Sequence, residues 1–214
     1  MSRDPGRSEA SGGRRGLAVG FVVVAASMAA LFTVPSGYFV AATFLSTGCM
    51  VVTSYSLGLR WKARPPASAI LAGLASAAAL YLVFAAGNVG ITTLHPFGIE
   101  PSSAASIYSL VVSRGNAPYT QVAVLLFDSA GYEAFFRGIL QARLRRSLGP
   151  WSAPAVAAVD AAIHILTMNP LWVATTFFAD LVWGLTYHFS GRLSASFTSH
   201  FVWDLSVFVL FPFR

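Results

Sequence analysis

The sequence predicts an all-α fold: a polytopic membrane bundle of about seven to eight transmembrane helices, the last four forming a core of their own. Three observations predict it. Hydrophobic residues make up 56% of the 214 and charged residues only 10%, against about 25% charged in ordinary soluble domains. The mean hydropathy is +0.65. Apolar runs of the ~20 residues that cross hydrocarbon recur along the chain, separated by short polar stretches.

The elements follow in order. Residues 1–16, MSRDPGRSEASGGRRG, are rich in Gly, Ser and Arg without apolar periodicity, which reads as a disordered cytoplasmic tail. The run LAVGFVVVAASMAALFTV then continues to Val34, longer than a secretory apolar region, and is read as a retained first span. Further spans are expected at residues 38–57, 67–89, 121–140, 153–168, 171–189 and 193–211. Residues 17–118 thus hold the N-terminal spans and an external loop, and residues 119–214 the core. Pro and Gly break the loop ITTLHPFGIEPSSAASIYSLVVSRGNAPY too often for a full crossing, so residues 104–112 are expected as a short interfacial helix. The junctions at Asn169-Pro170 and Ser190-Gly191-Arg192 are short enough to make the spans they join antiparallel neighbours.

The net charge of +6 comes from small basic clusters between apolar runs, not from one polar module, which argues against nucleic acid as a partner. The clusters set orientation instead. With a cytoplasmic N-terminus in a multi-pass plasma-membrane protein, Arg60, Lys62, Arg64, Arg143, Arg145, Arg146 and Arg192 fall inside, leaving Arg114 and Arg214 outside. The RLRR stretch is also a signal for anionic membrane lipids. Cys49 is the single cysteine and lies in an apolar run, which excludes a disulfide framework and a cysteine-based metal site. No internal repeat of the inverted-repeat transporter kind is visible. Gly20, Gly48, Gly73 and Gly87 are expected at close helix contacts. Trp61, Trp151 and Trp172 read as interfacial anchors, and His95 and His188 as bland loop or span-end residues.

A charge in the bilayer core costs about 2.5 to 3.5 kcal/mol on insertion scales, so each needs a reason. The last four spans carry Asp128, Glu133 and Arg137, then Asp160 and His164, then Asp180, then His200 and Asp204. Glu133 with Arg137, Asp160 with His164 and His200 with Asp204 stand four apart, one above the other on a helix face. Polar stripes in lipid face each other or a wet cavity, so these helices should converge on a polar pocket. Two histidines and carboxylates on separate helices suit hydrolysis. They would either hold a divalent metal such as zinc through His164, His200 and Glu133, or hold a water for a carboxylate base. The same groups also suit stapling of helices in a non-catalytic scaffold, or proton relays in a carrier.

The string EAFFRG at Glu133 to Gly138, then His164 on the next span, then HFVWD at His200 to Asp204, resembles the CPBP family. Its members are type II CAAX prenyl endopeptidases and bacteriocin-processing relatives, with motifs EExxxR, FxxxH and HxxxN. The resemblance implies a helical intramembrane endopeptidase acting on a membrane-associated peptide or protein, prenylated or not. It implies that a glutamate of the first motif and His164 activate water while His200 and its partner stabilise the oxyanion. Glu133 and Arg137 match the second glutamate and the arginine of the first motif. The sequence departs from the pattern at Tyr132, where the first glutamate would stand, at Asp160 for the phenylalanine, and at Asp204 for the asparagine. Asp160 is then a further candidate to orient His164 or to act as base.

Overall fold

The computed structural model describes residues 5–61, 64–94, 101–111 and 118–213, and every regular element among them is helical. Lys62, His95, Val112, Arg114 and Arg214 lie outside the described residues. Helix α1 (Pro5–Leu31) includes the first apolar run and extends back through the polar stretch in which no periodicity is visible. Helices α2 (Phe39–Ser56) and α3 (Ala67–Leu94) follow, and α4 (Pro101–Val111) is the short helix expected in the loop.

The core begins with α5 (Pro118–Phe135), which passes without a break into a π-helical segment, Phe136–Gln141, and then α6 (Ala142–Leu148). Helices α7 (Ser152–His164), α8 (Pro170–Ser190) and α9 (Leu193–Leu205) complete it, α9 ending in a second π-helical turn at Ser206–Leu210. Among the described residues three helices are long and apolar enough to cross a membrane: Phe39–Ser56, Ala67–Leu94 and Leu193–Leu210. The larger number of spans expected from the apolar runs includes helices that are short or carry polar groups. The 13 residues of α7, for instance, rise only about 20 Å.

The junctions behave as their residues require. Met168 takes a left-handed conformation at φ 53° and ends the turn after α7. The Asn169 side chain accepts a hydrogen bond from the Trp172 amide at 3.1 Å, capping α8, and Pro170 fills the first helical position where no amide is needed. Gly191, at φ 63°, closes α8 with its amide on the Tyr187 carbonyl. These turns pack α7 on α8 and α8 on α9, while α3 lies along α9 and α2 along α5.

Small residues let the helices approach. A Cβ at Gly73 would come within 2.6 Å of Thr198 Cβ on α9, and one at Gly131 would collide with Thr47 on α2. Gly20 also serves close packing, against Thr53, whereas Gly48 and Gly87 have nothing within 4 Å of where a Cβ would be and do not. Trp151 is exposed at a helix end, as expected of an anchor, but Trp172 packs its ring 5.7 Å from Phe32 and so forms part of an internal wall.

Candidate active site

The π-helical segment sets the lower layer of the site. Arg137 and Gln141 project from it towards α8, where Asp180 and the Gly184 carbonyl are spaced by the same four residues. The Arg137 guanidinium donates to both oxygens of Asp180, the contact through Nη1 measuring 3.1 Å, and Gln141 Nε2 donates to the Gly184 carbonyl at 2.8 Å. All three side chains are fully buried. A π turn at this place is a common device for aiming side chains at a functional site.

One turn above, Glu133 is the hub. Its carboxylate accepts from His200 Nδ1 at 3.0 Å and from the Ser196 hydroxyl, and lies 3.5 Å from Arg137 Nε. His200 is held on every side. Its ring stacks on Trp183 with centroids 3.6 Å apart, meets Tyr132 edge-on at 5.4 Å, and turns Nε2 to Asp204 Oδ2 at 3.4 Å. Asp204 also accepts from the Ser129 hydroxyl at 3.3 Å.

His164 is fixed differently. Its Nδ1 donates to the Asp160 backbone carbonyl at 3.0 Å, which any histidine in a last helical turn can do, and the Asp160 carboxylate is 3.5 Å away. That leaves Nε2 as the free lone pair of the ring. Phe32 and Trp172 flank the imidazole with centroids at 4.8 Å and 6.1 Å. The Asp160 carboxylate accepts the phenolic hydrogen bond of Tyr132.

A cavity of about 170 Å³ lies between these groups, and Asp128, Tyr132, His164, His200 and Asp204 are among the side chains that line it. The three pairs expected from their spacing are thus all formed, and the two histidines face one space from α7 and α9. Glu133, Arg137 and Asp160 lie behind that wall, each fully buried. Asp128, which the spacing argument leaves without a partner, stands on the cavity and accepts from Thr47 at 2.7 Å. Among the described residues no three His, Cys, Asp or Glu side chains form a group able to hold a metal. Glu133 is already engaged by His200, Ser196 and Arg137, so the set His164, His200 and Glu133 does not fit a metal ion.

Sequence reasoning missed Ser129, Ser196 and Trp183, and left Asp180 and Asp128 without a role. Ser196 stands four before His200, and Asp128 four before Tyr132, so both were readable on the same helical stripes. Nothing in the sequence marks Trp183 as a platform for a histidine.

These groups, in this order on successive helices, carry the comparison with known proteins. Residues 114–206 match the family described as Type II CAAX prenyl endopeptidase Rce1-like. The Rce1-like segment contains every charged or imidazole group of the site, from Asp128 to Asp204, and is the part whose motifs resemble that protease family. No curated protein and no solved structure matches the chain.

Proposed function

We propose that the protein is an intramembrane endopeptidase that hydrolyses a peptide bond of a membrane-associated peptide or protein. The observation that carries this is the placement of His164 and His200 on one cavity, each with its Nδ1 committed to a fixed acceptor, the His164 Nε2 lone pair left available and His200 Nε2 set beside Asp204. In this reading His164 Nε2 takes a proton from the attacking water and gives it to the leaving nitrogen as the C–N bond breaks, and Asp160, through its carbonyl, keeps the ring in the tautomer that can do so. His200, with Glu133 behind it and Asp204 beside it, donates from Nε2 to the developing oxyanion. Glu133 and Asp160 act as positioning residues, and Asp128, with Asp204, is a carboxylate on the cavity wall. Arg137 holds Glu133 in place and is itself held by Asp180. No metal enters the scheme.

With the N-terminus in the cytoplasm of a plasma-membrane protein, as the arginine distribution argues, the first turns of α2 and α8 and the last turns of α7 and α9 face outward. The substrate then meets the site from that side. An apolar groove of about 430 Å³ between α3, α4, α8 and α9 shares Trp203 and Phe208 with the polar cavity, and suits the apolar anchor of such a substrate, prenylated or not.

A second reading has its own observation. Tyr132 stands where the family pattern has a glutamate and spends its hydroxyl on Asp160, which fits a scaffold that keeps the fold without turnover. Cleavage of a membrane-tethered peptide library by the purified full chain decides between the two, with His164→Ala and His200→Ala as controls and a chelator arm. Cleavage lost in both variants and unaffected by chelator supports the peptidase as drawn. No cleavage by the unaltered protein supports the scaffold, and cleavage abolished by chelator overturns the metal-free scheme.

A further inference from the structure

A second, larger cavity of about 970 Å³ opens at the far end of the bundle from the polar site. The ends of the helices establish the separation. Residues 121–132 of α5 reach the polar cavity while Gly138 and the residues after it reach this one. Likewise Leu193 and Ser194 begin α9 here, while His200 to Phe208 belong to the other end. Five arginines brought from three separate segments line it: Arg60 and Arg64 between α2 and α3, Arg143 and Arg146 on α6, and Arg192 before α9. Among the described residues no carboxylate lines it. Arg145, between two of the lining arginines in sequence, is not on the wall, so the convergence is a matter of which face α6 presents.

Orientation alone asks only that basic residues lie on one side of the membrane, and scattered, outward-pointing arginines would meet that demand. Arginines gathered around one concavity go further, because their like charges repel and an anion between them relieves the repulsion, even with Arg143 partly engaged by the Leu57 carbonyl at 3.1 Å. Arginine forks suit phosphate oxygens in particular. Leu59 and Leu193 share the wall with the arginines, so the anion's surroundings pass directly into apolar surface. That combination of a phosphate-seeking wall and an apolar flank fits an amphiphile better than a soluble ion. We infer that this cavity binds the phosphate headgroup of an anionic membrane lipid, at a site separate from the polar cavity.

The test uses the full chain in detergent, examined by native mass spectrometry after addition of phosphatidylglycerol or, as the zwitterionic comparison, phosphatidylcholine. Glycerol 1-phosphate in a further arm represents the same phosphate chemistry without acyl chains. The wild type should retain phosphatidylglycerol roughly tenfold better than phosphatidylcholine, since each basic residue at a membrane surface contributes appreciably to anionic-lipid binding. The double variant Arg60→Gln/Arg192→Gln should lose that preference. Arg15→Gln/Arg145→Gln, which removes the same charge from exposed arginines off the wall, should keep it. Arg60→Lys/Arg192→Lys retains charge and tests the fork geometry in a variant that perturbs folding least, with an intermediate preference expected. Equal losses in the two glutamine doubles would show a diffuse field and overturn the site. Retention of glycerol 1-phosphate with no preference for phosphatidylglycerol would overturn the lipid assignment.

Discussion

Tyr132 on α5 donates its phenolic hydrogen bond to the fully buried carboxylate of Asp160 on α7. The resemblance to the protease motifs would put a glutamate at 132 and a phenylalanine at 160, and the hydrogen bond gives the tyrosine and the aspartate found there a use for each other. A glutamate at 132 would set a second carboxylate against the fully buried Asp160. Tyr132→Glu is therefore expected to lower the melting temperature and to give no gain in cleavage, because like charges at such range destabilise. Tyr132→Phe keeps the ring on Phe136 and His200 but orphans an Asp160 oxygen, at a cost of about 1 to 3 kcal/mol. Thermal melts in detergent measure both. A rise in cleavage by Tyr132→Glu at unchanged melting temperature would show that the missing glutamate, and not Asp160, limits activity.

The arrangement around His200 separates positioning from binding. Glu133→Gln preserves volume and leaves Arg137 on Asp180, but removes the charge and replaces one of the two accepting oxygens with an NH2 group, so the side chain can no longer accept from both His200 Nδ1 and the Ser196 hydroxyl. The imidazole then loses the carboxylate that stabilises its protonated form. In the scheme proposed here kcat falls by about 10² or more while KM stays near its wild-type value, because the effect is felt as charge develops and not on substrate binding. His164→Ala should do the same at the other side of the cavity. A change in KM alone would assign Glu133 to the binding of substrate.

Much of this site was legible because intramembrane charge is conspicuous. Spacing by four put Glu133 with Arg137, Asp160 with His164 and His200 with Asp204, and all three pairs exist at 3.4 to 3.5 Å. What spacing could not supply was which member of a pair faces the cavity. Of Asp160 and His164 only the histidine does, and of Glu133 and Arg137 neither does, because the pairing of Arg137 with Asp180 holds that layer against α8. Trp183 escaped notice, and Trp172 is read from the sequence as an anchor, for a related reason. An aromatic residue in an apolar helix reads as packing or anchorage until tertiary structure sets an imidazole against it.

Arg137 and Asp180 offer a direct measure of how the layer is held. Removing either partner strands a charge at full burial, so Arg137→Leu and Asp180→Leu alone are each expected to destabilise by about 3 to 5 kcal/mol. The double replacement removes both charges and should recover much of that loss. A double-mutant cycle in a reversible detergent unfolding assay reads the coupling. Glu133, 3.5 Å from Arg137 Nε, stays in every variant, and its loss of Arg137 is common to the arginine single and the double. If the double variant is no better than the singles, Glu133 and not Asp180 is the partner that matters to the arginine.

Gly73 and Gly48 look alike in sequence, each a glycine among small and apolar residues of a membrane helix, and the structure assigns them opposite behaviour. At Gly73 an added methyl meets the Ala195 carbonyl oxygen at 2.5 Å and Thr198 Cβ at 2.6 Å, both on α9, and the backbone oxygen cannot yield without moving that helix. Since α9 carries His200 and Asp204, the displacement reaches the polar cavity. Gly73→Ala is expected to cost about 1 to 3 kcal/mol and to reduce cleavage along with stability. Gly48→Ala meets nothing and should be neutral or stabilising by about 0.5 to 1 kcal/mol, as for any glycine in a helix interior. Melting temperatures of the two variants side by side test the packing of α3 on α9. Equal tolerance at both positions would mean that these helices do not approach as closely as a glycine requires.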